Sequence, residues 1–167
     1  MKVGIFDSGR GGEFVAQGLS RLLPQHQYIV VNDRENVPYG SKSDNEVIEL
    51  TDSAIQPLLF EGCRLIIIAC NTATMAGIAE LRARHPDVLF IGAEPMIKTA
   101  SLSSSTKKIA VLATPLTISS DRYHQLKATF ASGVTIHEPD TAQWARHIEN
   151  DQIDTLKFTD LDSLTKN

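Results

Sequence analysis

Cysteine is scarce in this 167-residue chain: Cys63 and Cys70 are its only two, too few for a disulfide framework and in keeping with a reducing compartment. Aromatic residues make up 6% of it, and no Lys/Arg-rich run is interleaved with them, which argues against nucleic acid as the main partner. The net charge is only -4 at pH 7. No apolar stretch approaches the roughly 20 residues needed to span a bilayer, so no membrane partner is expected. The start, Met1-Lys2-Val3-Gly4, runs straight into an apolar strand and reads as no signal peptide. His26, His85, His124, His137 and His147 are scattered without metal-ligand spacing, and no metal is expected. No lysine stands in a pyridoxal-like setting. Gly9, Gly11 and Gly12 invite a phosphate-loop reading, but the dinucleotide fingerprint needs glycine where Phe14 stands, and no Walker lysine follows. What remains is an ordinary globular composition, 42% hydrophobic and 22% charged, of the kind expected of a cytoplasmic protein.

What is present is alternation. Short Val/Ile-rich runs at 2–6, 28–31, 64–69, 88–91, 108–112 and 134–136 read as strands buried on both faces. Between them lie helical patterns. One stripe comprises Phe14, Leu19, Leu22 and Leu23, and another Val47, Ile48, Leu50, Ile55 and Leu58. Further helices are expected over 73–84, 117–130 and 141–150. Such alternation predicts an α/β fold, a parallel sheet with helices on both faces. A boundary near Pro95–Lys98 separates a first lobe, 1–96, from a second, 97–167. The second lobe would hold only two strands, and 151–167 is polar and weakly patterned, so it is expected to be incomplete.

Open α/β sheets bind ligands at the carboxyl ends of their strands. Three polar segments fall there: Asp7-Ser8-Gly9, then Asn32-Asp33 with Pro38-Tyr39-Gly40, and Cys70-Asn71-Thr72. Cys70 ends the run Leu65–Ala69 and opens an Ala-rich helix, where free N–H groups and the helix dipole favour thiolate. The same N–H groups, with Asn71 and Thr72, offer a carboxylate site. The bland alternative is a small buried residue. That alternative is adopted for Cys63, at the opposite end of the strand. Asp7 reads either as a helix cap or as a carboxylate that meets a substrate ammonium or tunes Cys70. Tyr39-Gly40 alone reads as a turn after Pro38.

Together these segments resemble glutamate racemase of the Asp/Glu racemase family: Phe6–Gly12, Val37–Lys42 and Ala69–Thr74, extended by Gly92–Pro95, Ala113-Thr114, Thr117-Ile118 and Tyr123. The resemblance implies a two-lobed α/β protein that interconverts L- and D-glutamate for peptidoglycan without cofactor. It implies Cys70 as one catalytic acid/base with Asp7 as its helper, and Ser8, Tyr39, Gly40, Asn71 and Thr72 as substrate contacts. The chain departs from the family at Glu13, where an apolar residue is usual, at 32–36, and at His137-Glu138-Pro139 in place of a Cys-Pro pair.

Inverting an α-carbon needs opposed acid/bases on its two faces. The family draws its second from a Gly-Cys-Thr-His segment, and no cysteine follows Cys70 here. The expectation is a truncated racemase, inactive alone, binding glutamate, with a homodimer left open. A non-catalytic amino-acid- or protein-binding relative and a one-cysteine decarboxylase-like enzyme are the alternatives.

Overall fold

The computed structural model describes residues 1–152. The chain divides into two compact units, Met1–Glu94 and Pro95–Asn167. The first is built on a four-stranded, all-parallel sheet of order β2-β1-β3-β4, from β1 (Lys2–Asp7), β2 (Gln27–Asn32), β3 (Leu65–Ile68) and β4 (Leu89–Gly92). Register sets the faces. Gly4, Ile66 and Phe90 form one row, and Phe6, Ile68 and Gly92 the next on the same side. Over this side lie α2 (Asp44–Ala54), α3 (Gln56–Phe60) and α4 (Asn71–Arg84). Leu58 of α3 packs on Gly4, and Thr74 and Ile78 of α4 come so close to Gly92 that a side chain there would clash. Ile5, Phe6, Leu58, Ile66, Ile68, Leu81 and Phe90 form the core, each contributing roughly 1.5–3 kcal/mol when removed from water.

The other face is covered by α1 (Gly11–Leu22), which lies over β1 and β2. The expected stripe is not the one that packs. Phe14 and Leu22 are 71% and 78% exposed, whereas Gly12 is buried. A Cβ on Gly12 would stand 2.8 Å from Asn32 Oδ1 and 3.2 Å from both Asp7 and Val30, so the helix approaches the sheet through its smallest residue. Residues 12, 15, 16 and 19 make that face at about 100° per residue and Phe14 lies off it, whereas Leu22 continues the face but is exposed at the end of the helix. Nor are the strands all buried on both sides: Leu89 and Ile91 of β4 are 63% and 48% exposed.

The α2 helix starts with a capping box, in which Ser43 Oγ accepts from Glu46 N and Glu46 returns a bond from Ser43 N. The apolar pattern from Val47 to Leu58 is split at Ile55, with Pro57 in the first turn of α3. Arg84, near the end of α4, binds Glu49, Asp52 and Glu80, and His85 binds Asp52 at 2.6 Å. Burial works to raise the Asp52 carboxyl, but its bonds from His85 and Arg84 outweigh that and hold it below the usual carboxylate range.

The second unit contains α5 (Ile97–Ser103), β5 (Lys108–Ala110), α6 (Pro115–Ser119), α7 (Asp121–Phe130), β6 (Thr135–His137) and α8 (Trp144–Glu149). Strands β5 and β6 pair in parallel. Ile97, Val111, Tyr123 and Leu126 make its core. The single helix expected over 117–130 is two, because Ser120 is extended (φ -70, ψ 144) and its hydroxyl caps Tyr123 N. The helix expected over 141–150 is shortened to α8, and α5 goes unseen in the sequence reading. The polar stretch from 153 onward lies outside the described residues.

Candidate active site

Because the four strands of the first unit are parallel, their carboxyl ends share one edge, and the loops there meet. Asp7, the last residue of β1, is 7% exposed. Its Oδ2 accepts from Gly9 N at 2.8 Å and Gly11 N at 3.0 Å, so the carboxylate folds the glycine turn onto itself and anchors the start of α1. This is the capping role. The same carboxylate also lies close enough to Cys70 to act on its charge.

Cys70 is the residue before α4, extended (φ -71, ψ 113), with Sγ accepting from Ala73 N at 3.4 Å. Ser8 Oγ and Cys70 Sγ share a hydrogen bond of 3.2 Å. The β1 and β3 loops are thus joined through the thiol. The helix N–H groups are where the sequence placed them, but they do not dominate. Burial pushes the Cys70 thiol up, the negative charge of Asp7 adds to this, and the bonds from Ser8 and Ala73 pull the other way. The net direction is upward, opposite to the lowering that the helix terminus alone would give. Thr72 is buried and Asn71 exposed, both in the first turn of α4.

Cys63 precedes β3 at the opposite end, 1% exposed, beside Lys2 and Glu61. Burial raises its thiol too, against the pull of Lys2. It makes no part of the Cys70 cluster.

Tyr39 does not offer its phenol to this edge. It is 2% exposed, its ring packs on Phe6 at 6.3 Å between centroids, and its hydroxyl donates to Asp33 Oδ2 at 2.7 Å. Burial first, then the bond to Asp33, hold this phenol protonated far above its ordinary range. Any contact from Tyr39 and Gly40 to a ligand therefore comes from their main chain, in the short 3-10 turn Tyr39–Ser41.

Asp33 is the residue whose part here the sequence reading missed. Its main-chain N donates to Asp7 O at 3.0 Å, and its carboxylate takes Asn36 Nδ2 at 2.9 and 3.1 Å besides Tyr39. The Asp-x-x-Asn spacing followed three residues later by tyrosine was the available signal. Glu13, a departure noted above, accepts from Asn32 Nδ2 at 3.1 Å and pairs with Arg34 at 2.8 Å, closing the outer rim of the β2 loop.

In the second unit a cleft of about 450 Å³ at the carboxyl ends of β5 and β6 is lined by Ile118, His124, Glu138, Asp140 and Thr141 among others. Burial raises Glu138, but Lys127 and Tyr123, each 2.6 Å away, more than offset it and keep the carboxyl low. Among the described residues no group of three His, Cys, Asp or Glu could hold a metal ion, and no helix is long and apolar enough to cross a membrane.

The chain is similar to known proteins in both sequence and fold. The chain is 38% identical to the glutamate racemase of Sulfurovum sp. (strain NBC37-1) over 164 residues, 96% of this chain and 62% of that protein. It is 42% identical to the glutamate racemase of Campylobacter curvus over 132 residues, 75% of this chain and 49% of that one. Among solved structures it superposes on Escherichia coli glutamate racemase, determined with L-glutamate and an activator, with a TM-score of 0.80 at 31% identity, over 87% of this chain and 55% of that one. A Bacillus anthracis glutamate racemase isoform gives 0.81 at 30%, over 99% and 64%. The chain thus spans between about half and two thirds of the length of these relatives. The family model for Asp/Glu/Hydantoin racemases matches residues 13–158, and with a parallel sheet and an extended Cys70 opening a helix at its carboxyl edge, the chain belongs to that family.

Proposed function

We propose that this chain carries the Cys70 side of a cofactor-independent glutamate racemase site, with residues 1–96 as a first lobe and 97–167 as part of a second. The observation that carries this reading is the hydrogen-bonded pair Ser8–Cys70, 3.2 Å apart, at the amino terminus of α4 and beside Asp7. Asn71, Thr72 and the first N–H groups of α4 receive the α-carboxylate, as helix termini favour. The α-ammonium settles near Asp7 and Ser8, and the main chain of Tyr39 and Gly40 bounds the side chain. Glutamate is favoured as the amino acid because the Escherichia coli relative was solved with it.

Binding and chemistry are linked through charge. Burial and then the Asp7 charge raise the Cys70 thiol; an ammonium beside Asp7 offsets the second of these, so bound substrate moves Cys70 toward thiolate. Cys70 Sγ then takes the α-proton from one face, leaving an electron pair delocalised into the carboxylate, which N–H donors stabilise. Inversion needs a proton from the opposite face. Cys63, at the far end of β3, is not placed to deliver it, so this chain alone does not racemise. Synthesis of D-glutamate for peptidoglycan, a cytoplasmic location and a homodimer belong to the same reading.

Iodoacetamide labelling with mass-spectrometric mapping of both thiols tests it. Glutamate should slow labelling of Cys70 in a concentration-dependent way and leave Cys63 unchanged. Indifference of Cys70 to either enantiomer removes the proposal.

A further inference from the structure

We infer that Asp33 is a positioning residue of this site: its carboxylate latches the Tyr39 phenol and so holds the turn 38–41 against α4, beside Cys70. The role rests on the reading of the Cys70 site given above, but it is drawn from three placements that do not depend on the identity of the substrate. Asp33 is tied by its main chain to Asp7, the last residue of β1, at 3.0 Å. Its carboxylate gathers the side chains of Asn36 and Tyr39, from two successive short turns. And the turn it reaches, Tyr39–Ser41, packs on α4, the helix that Cys70 opens.

Burying a phenol requires an acceptor for its hydroxyl, since an unpaired one costs the full desolvation of the group. Asp33 is that acceptor, and an ionised acceptor makes the bond a strong one. The ring is then fixed between the bond at its hydroxyl and Phe6 at its face. Tyr39 lies close enough to Cys70 for a charge on the sulfur to act on its hydroxyl. Both carboxylate oxygens of Asp33 are engaged within these turns. Its work is to set where the main chain of Tyr39 and Gly40 lies over the site edge. Releasing the phenol lets this turn swing away and brings solvent to Cys70, which is 7% exposed when the turn is in place.

The full 167-residue chain, without substrate, serves for the test, with iodoacetamide as probe, Cys70 as reporter and Cys63 as internal control for global unfolding. Asp33→Ala should label Cys70 about tenfold faster or more, the change expected from losing one charge-assisted hydrogen bond, with Cys63 unaffected. Tyr39→Phe should give the same acceleration, and combining the two should add nothing. Asp33→Asn, which still presents an oxygen to the phenol, should restore slow labelling. The inference is overturned by an unchanged Cys70 rate in Asp33→Ala, by equal acceleration at both thiols, by additive effects, or by failure of the Asn variant to rescue. Glutamate protection of wild-type Cys70, measured in parallel, separates the two ideas: loss of protection with the latch pattern intact removes the functional reading, and protection without the pattern removes only the latch.

Discussion

Replacing Gly77 by alanine probes how α4 is held and, with it, the thiol at its amino terminus. Gly77 is buried against Ile48 of α2, and a methyl group on its Cα would overlap Ile48 Cγ1 deeply, with Cδ1 at 3.3 Å and Cβ at 3.4 Å. Cγ1 lies at the stem of a side chain stiff at χ1, so no rotation of a flexible tip relieves the overlap, and one helix must move. Overpacking of this kind costs about 1–3 kcal/mol. Alanine in a helix interior recovers about 1 kcal/mol over glycine. Because the overlap is with the stem, a net loss of roughly 1–2 kcal/mol is expected, or about 4–15 °C for a unit near 100 residues. The melting of the first unit is followed by the temperature at which Cys63 becomes open to a thiol reagent. Repeating the substitution in an Ile48→Ala background is the control. There the overlap is gone, and Gly77→Ala should be neutral or stabilising by up to ~1 kcal/mol. An equal loss in both backgrounds, or stabilisation in the wild-type chain, refutes the reasoning.

Three further outcomes follow from the charges. Asp7→Asn keeps an acceptor for Gly9 and Gly11 but removes the charge that raises Cys70, so the pH profile of Cys70 alkylation should move to lower pH; an unmoved profile contradicts the coupling. Both thiols are raised above their ordinary 9.0 by folding, so the native state retains protons that the unfolded chain gives up, and stability should be complete below about pH 9 and fall as pH rises beyond it, read as a declining urea midpoint; a constant or rising midpoint there would falsify the thiol assignments. Asp52 is lowered by folding, so its contribution should be present above about pH 3.8 and lost as pH falls below it, and Asp52→Ala should cost about 1–2 kcal/mol at neutral pH by chemical denaturation while flattening the acid limb; a variant as stable as wild type at pH 7 rules this out.

The six strands were legible because apolar runs such as Leu65–Ile68 carry a signal that needs no tertiary context. Their parallel pairing followed from the helices between them, and that alone brought Asp7, Ser8 and Cys70 to one edge. Where the reading failed, the deciding term was not local. Phe14 and Leu22 look like a packed stripe, but α1 rests on Gly12 because Asn32 and Val30 set how near the helix comes. Ser120 broke a continuous helical pattern with a side-chain cap that competes with the helix for the same N–H. At Cys70 the helix terminus was visible in the sequence, but burial and the Asp7 charge, which reverse its effect, depend on the folded neighbourhood. Tyr39 is expected from the sequence as a substrate contact, yet only the fold shows that its phenol turns inward to Asp33.

The central claim, that this chain presents one acid/base of a two-base reaction, is tested most directly by following the circular dichroism of D- and L-glutamate incubated with the purified 167-residue chain. The account predicts that each enantiomer keeps its signal. Interconversion by this chain alone, abolished by Cys70→Ala, would contradict it.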